Sequence, residues 1–184
     1  MKDFENETLP TYVKEGLTVL FCGINPGRIS AIKGYHYANP VNVFWRGLHE
    51  GGLTPYQLKP EETMSLLHYG YGITDLVARP SRSSSNLRKK DYDDGRIRFQ
   101  KLVAFYKPKV VCFNGITAFR EAVRERTVSL GLQTNMYFGN ERWEGCYVFV
   151  VPSTSGANAR YSREEKVDSF KELGTFLRKK GWLH

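Results

Sequence analysis

No stretch of this chain approaches the ~20 consecutive apolar residues that a membrane-crossing helix needs. Its first residues, MKDFENETLP, lack the apolar core of a signal peptide. A cytoplasmic protein with no membrane partner is therefore expected. Cysteine is scarce: Cys22, Cys112 and Cys146 are odd in number, widely spaced and never arranged as CxxC. This argues against a disulfide framework, a thiolate zinc site and a cysteine-ligated iron–sulfur cluster. Cys22 and Cys112 fall inside apolar runs and read as small core residues. The first glycine loop, GINPG, is neither GxGxxG nor a GK[ST] P-loop, which disfavours a dinucleotide or triphosphate site. Internal repeats, long linkers and low-complexity blocks are also missing.

What is present fits one globular domain. The chain has 184 residues, 41% of them hydrophobic and 25% charged, which suits a single core over residues 1–184. Residues 1–17 read as a loosely packed lead-in. Lys and Arg outnumber Asp and Glu by 27 to 19, a formal charge of +8. An excess of that size favours a polyanionic partner, nucleic acid above all.

TVLFCG (Thr18–Gly23), KVVCFNG (Lys109–Gly115) and CYVFVVPSTSG carry nearly continuous apolar runs closed by turn residues. That is the pattern of parallel strands buried on both faces. A shorter strand is expected at GITDLV. Helical spacing predicts helices at NVFWRGLHEGG, KPEETMSLLHYG, ITAFREAVRER and RIRFQKLVAFYKP, the last with Ile97, Leu102, Val103 and Phe105 as its apolar residues. NERWEG reads as a turn. In the tail, Ser162 and Glu165 have capping-box spacing ahead of a stripe of Val167, Phe170, Leu173 and Leu177. Alternating strands and helices predict an α/β, three-layer domain with a short central parallel sheet flanked by helices.

In such sheets ligands bind beyond the carboxyl ends of the strands. Three loops gain weight: Gly23–Ser30, Asn114–Ile116 and Pro152–Tyr161. The first presents Asn25 between glycines, either as a turn former or as a functional amide. The last, VPSTSGANARYS, combines small hydroxyls, Gly156 and Arg160, a composition that suits phosphate oxygens. Tyr35, His36 and Tyr37 form an aromatic cluster suited either to base stacking or to a core. The basic segment Arg79–Lys90 is either a phosphate-binding surface or a solvated loop.

Together GINPG, YHYANPVNVFW, GITDLV.RP, FNG and VPSTSG resemble, in order and spacing, the mismatch-specific uracil/thymine DNA glycosylase family of the uracil-DNA glycosylase superfamily. The resemblance spans Val19 to Leu177. It implies a monofunctional glycosylase that flips a mismatched uracil, or a related pyrimidine, out of the duplex and hydrolyses its N-glycosidic bond. Double-stranded DNA with G·U or similar mismatches is the implied partner, for a monomer that needs neither metal nor cofactor. Localisation is expected to be cytoplasmic and nucleoid-associated. Asn25 matches the family's catalytic asparagine. Gly23, Ile24, Ser30 and Tyr37 match its base pocket, Tyr37 as the stacking ring. Ser153, Ser155, Gly156, Ala157, Asn158 and Arg160 match the loop that pinches phosphates and inserts into the duplex.

Two departures stand out. Asp75 in GITDLV occupies a position where several relatives carry no acid; a carboxylate there could activate water, or could be a solvated turn residue. Ala157 is small for a wedge, which leaves Asn158 or Arg160 to fill the gap, with Arg160 the better placed. His36 is the histidine nearest the pocket but is not assigned to catalysis. No lysine sits in the first loop, and Lys33 would have to fold back, so a Schiff-base step is not expected. The competing readings are a mismatch-binding module without activity and a small nucleotide hydrolase on the same scaffold.

Overall fold

The computed structural model describes residues 6–133, 137–138, 141–142 and 145–183. Residues 1–5 of the lead-in, and Asn140, Trp143 and Glu144 of the NERWEG turn, lie outside the described residues. In chain order the elements are β1 (Val19–Gly23), α1 (Arg28–Lys33), α2 (Phe44–Glu50), a 3₁₀ segment (Pro60–Tyr69), β2 (Tyr71–Asp75), a 3₁₀ turn (Ser84–Asn86) and α3 (Lys89–Tyr106). Then follow β3 (Val110–Asn114), α4 (Ile116–Val123), β4 (Gly131–Gln133), β5 (Tyr137–Phe138), β6 (Glu141–Arg142), β7 (Tyr147–Val151) and α5 (Arg163–Lys179).

The main sheet has the order β2-β1-β3-β7-β4. Its first four strands are parallel; β4 adds an antiparallel edge, and β5 and β6 form a separate antiparallel pair. Neither feature was expected from the apolar pattern. The continuous runs work as anticipated because alternate side chains feed opposite faces. Val19, Phe21, Val110, Cys112, Phe149 and Val151 join one core with α2 and α5. Leu20, Cys22, Val111, Phe113, Val148 and Val150 join the other with α3 and α4. The result is the expected three-layer α/β domain.

The tail helix forms as its sequence suggests. The Ser162 side chain accepts from the Glu165 N–H at 3.1 Å, and Glu165 Oε2 accepts from the Ser162 N–H at 2.7 Å. Its four apolar residues are fully buried. α5 crosses α2 at close range because glycines remove side chains from the contact. A Cβ on Gly47 would lie 2.7 Å from the Phe170 ring, and one on Gly174 would collide with the Gly51 carbonyl. A larger residue at either position costs about 1–3 kcal/mol by overpacking.

Two expectations change. α3 starts at Lys89, so the end of the basic segment is helix, and its buried positions are Gly95, Phe99 and Val103. Ile97 and Phe105 face solvent, Phe105 at 70% exposure. The stripe falls elsewhere because α3 packs through Gly95, whose Cβ would strike the Leu76 carbonyl. The lead-in, expected to be loose, is pinned over residues 11–17. Tyr12 and Ile73 exchange backbone bonds of 3.0 and 2.9 Å, Thr11 and Thr74 share a 2.9 Å hydroxyl bond, and Leu17 is fully buried.

β1 is flanked by β2 on one side and β3 on the other, so chain order reverses there. The parallel register ends Gly23 beside Asp75, and Asn114 beside Val151. The three loops and Asp75 therefore meet at one edge of the sheet, where a crevice opens.

Candidate active site

The crevice is a cleft of about 630 Å3 lined by all three loops and the end of β2. Asn25 sits on its wall with a fixed amide. Nδ2 donates to the carbonyls of Pro26 (3.2 Å) and Arg79 (3.1 Å) and to Ser81 Oγ (2.8 Å). Two of these partners are carbonyls, which can only accept, so the amide's nitrogen must face them. Ser81 is itself oriented: it is buried and donates to the Ser83 carbonyl at 2.7 Å. Among the described residues, Asn25 Oδ1 accepts no hydrogen bond. The amide's carbonyl end is its free end.

The basic segment, which the sequence left open as a phosphate-binding surface or a solvated loop, holds Asn25. Arg79 supplies a backbone acceptor, and its guanidinium is taken up by the Asn86 carbonyl (3.0 Å) and Asp91 (2.7 Å). The Arg79 side chain, with the Arg88 N–H, keeps Asp91 below the ordinary carboxylate range. Arg82 of the same segment lines the cleft and is exposed.

Asp75 is not a solvated turn residue. It is 7% exposed, and its Oδ2 lies 3.3 Å from His36 Nδ1. Its Oδ1 lies so close to the Gly23 Cα that a Cβ there would collide with it. His36 is 3% exposed, and its Nε2 donates to the Pro10 carbonyl at 2.8 Å. Burial opposes the charged ring, but the hydrogen bond and charge of Asp75 and the Pro10 carbonyl outweigh it and raise His36 above its ordinary 6.5.

Tyr37 adopts a left-handed conformation (φ 51°) that places its ring on the cleft. One face stacks on Phe44, with centroids 4.1 Å apart and planes 27° apart. Its hydroxyl is buried and without a hydrogen-bond partner among the described residues, with the Asn114 amide close by. Burial, then the Asp75 charge, pushes this phenol well above its ordinary value. Ser30 lines the same wall, but its Oγ accepts from the Ala38 N–H at 3.1 Å and so fixes the turn that carries Tyr37. Gly23 and Ile24 complete this side.

The third wall hangs on Asn114. Its amide donates to Thr154 Oγ1 (2.8 Å) and accepts from the Thr154 N–H (2.9 Å), both buried. The loop beyond is braced internally. Ser155 Oγ accepts from the Ala157 N–H (3.2 Å), and Asn158 Nδ2 donates to the Ser153 carbonyl (3.0 Å). Lys166, 3% exposed on α5, donates to the carbonyls of Ser155 (2.9 Å) and Asn158 (2.7 Å). Burial, then Arg163, pulls the pKa of this lysine down. Asn158 is thus a strut of the loop, whereas Arg160 stands exposed at the rim with its guanidinium 5.5 Å from the Tyr161 ring. Gly156 packs against Val41, whose Cγ2 would be 2.6 Å from a Cβ.

Asn25, Asp75, Gly23, Ile24, Ser30, Tyr37, Ser153, Ser155, Ala157, Asn158 and Arg160 all line this cleft, whereas Gly156 and Tyr35 do not. Sequence reasoning missed what holds them: Ser81 under Asn25, His36 behind Asp75, Asn114 behind the last loop. YHY and FNG contained two of these. Nothing local marks Ser81.

Comparison with known proteins places the same scaffold in one family. The family model of the uracil DNA glycosylase superfamily matches residues 10–178. The fold also superposes on the solution NMR structure of a candidate uracil DNA glycosylase from Methanosarcina acetivorans. The TM-score is 0.60 and the identity 25%, over 91% of this chain and 97% of that one.

Proposed function

The chain belongs to the uracil DNA glycosylase superfamily, and on that footing we propose that it is a monofunctional, mismatch-specific glycosylase that removes uracil from double-stranded DNA. Thymine and modified pyrimidines are further substrates for assay. The observation that carries the reading is the pairing in one cleft of a nitrogen-clamped Asn25 with a buried Asp75.

The chemistry follows from these groups. A base within the duplex is out of reach, and flipping it costs a few kcal/mol, least at a mismatch. The flipped pyrimidine lies against Tyr37, whose other face is backed by Phe44. The N-glycosidic bond lengthens and its electron pair leaves with the base, giving the sugar oxocarbenium character. Gly23, Ile24 and Asn25 line the cleft, and backbone N–H groups of this turn would stabilise the charge on the departing base. A water held by Asn25 Oδ1 adds to the sugar carbon, and Asp75 takes its proton. The products are an abasic site and the base anion, which takes up one proton while Asp75 gives its own back to solvent. The neutral Asn25 amide orients water, and the carboxylate supplies basicity.

Arg160 and Arg82 flank the opening as phosphate contacts for the duplex. The test is excision on oligonucleotides carrying G·U, A·U, G·T and single-stranded U. Abasic product is expected first and fastest from G·U. Tight binding with no abasic product on any of them would establish a binding module instead.

A further inference from the structure

We propose that His36 is a positioning residue of this cleft: clamped between the Pro10 carbonyl and Asp75, its doubly protonated ring holds the Asp75 carboxylate over Gly23 and releases it when one proton is lost. The proposal deepens the glycosylase reading and rests on it for its activity arm alone.

The geometry dictates the protonation logic. The Pro10 carbonyl can only accept, so Nε2, 2.8 Å away, carries a hydrogen. A neutral ring protonated there presents a bare lone pair at Nδ1. That lone pair would face Asp75 Oδ2 at 3.3 Å, acceptor against acceptor. Against an ionised carboxylate, the contact is attractive only with Nδ1 protonated as well, as imidazolium against carboxylate. Shifting the proton to Nδ1 alone would leave the Pro10 carbonyl unsatisfied.

The clamp cannot easily give. Pro10 leads into Thr11 and Tyr12, which are bonded to Thr74 and Ile73, the residues just before Asp75. Both ends of the bridge are thus anchored to β2. The N-terminal segment, of which Leu9 lines the cleft, becomes part of the site's machinery.

Among the described residues, the other groups placed around the pair are two tyrosine rings, a thiol and one guanidinium. The Tyr12 ring meets His36 edge-on at 6.3 Å, and the Tyr37 ring lies tilted at 6.3 Å. Cys22 on β1 lies near Asp75 as a buried thiol, pushed up by that burial and by the Asp75 charge. Arg98 on α3 donates to the Asp75 backbone carbonyl. With both nitrogens committed, His36 has no atom left for substrate; it acts through Asp75.

The experiment combines pH–rate profiles on a G·U duplex with imidazole 15N NMR of His36 in wild type, His36→Asn, His36→Ala and Asp75→Asn. The Asn amide nitrogen reaches the place of Nδ1 and donates at every pH. Wild-type kcat is expected to fall on the alkaline side at the NMR midpoint of His36, above 6.5. His36→Asn should lose that limb. His36→Ala should lower kcat about tenfold or more at all pH, with KM within about twofold. The same alkaline limb in His36→Asn, or a wild-type His36 midpoint at or below 6.5, would overturn the proposal. If wild type excises no base, the glycosylase reading fails, and NMR decides the clamp alone. A His36 midpoint that drops in Asp75→Asn supports it, and an unmoved one refutes it.

Discussion

Substituting Gly23 by alanine adds one methyl group at the most crowded point of the site. The new Cβ would collide with Asp75 Oδ1 and lie 2.8 Å from the Tyr37 hydroxyl. Gly23 does not have a positive φ, so the backbone itself tolerates alanine. The whole cost falls on two side chains. Asp75 cannot swing freely, because its other oxygen faces His36 at 3.3 Å. Tyr37 cannot retreat, because Phe44 is stacked 4.1 Å behind it. Overpacking of this kind costs about 1–3 kcal/mol. For a chain of this length that is roughly 2–12 °C in Tm. If Asp75 serves the chemistry as proposed, a displacement of about 1 Å in its carboxylate should slow excision about 100-fold. The matched control is Gly27→Ala, where a Cβ meets nothing within 4 Å and φ is −76°; its cost should stay below about 1 kcal/mol. Scanning calorimetry and single-turnover excision on a G·U duplex read both effects. Unchanged Tm in Gly23→Ala would refute the packing argument. Lower Tm with wild-type excision would refute the role of Asp75 and Tyr37 in the chemistry.

Other outcomes follow from the same geometry. Asn114→Ala strips the buried Thr154 N–H and hydroxyl of their partner, which should cost about 2 kcal/mol or more and open residues 153–158 to limited proteolysis. Ser81→Ala removes the 2.8 Å acceptor of Asn25 and should cut kcat about tenfold in an excision assay while Tm moves by only a few degrees. Arg160→Ala should weaken duplex binding whatever the sequence and reduce the salt slope by about one, measured by fluorescence anisotropy across ionic strength. Because folding raises His36, its stabilising contribution is complete below 6.5 and is lost as pH rises through the folded value. Urea denaturation from about pH 6 to about pH 9 should show that loss, and His36→Asn should flatten it.

The strands and the tail helix were legible because their signals are local. A continuous apolar run closed by a turn, or a serine three residues before a glutamate, carries its meaning within a few positions. The loop residues were legible through motifs in a fixed order. The supports were not, because they join residues far apart in the chain. Asn25 reaches Ser81 across 56 positions, Asn114 reaches Thr154 across 40, and His36 reaches Pro10 across 26. Those meetings depend on β1 lying between β2 and β3, an order no local pattern carries. Arg79 shows the same limit from the other side. By composition it belongs to a basic loop, yet its backbone holds Asn25 and its side chain is committed to Asn86 and Asp91. α3 misled for a related reason: the close approach of Gly95 to Leu76 decides its buried face, and Ile97 and Phe105 are left outside.

The central claim is that Asn25 and Asp75 act on one water. It is tested most directly by single-turnover excision of uracil from a G·U duplex by wild type, Asn25→Ala, Asp75→Ala and the double variant. Each single variant is expected to lose about 100-fold or more. The double variant should lose much less than the product of the two, as residues serving one water are not additive. Near-normal excision by Asp75→Ala, or losses that multiply in the double variant, would contradict it.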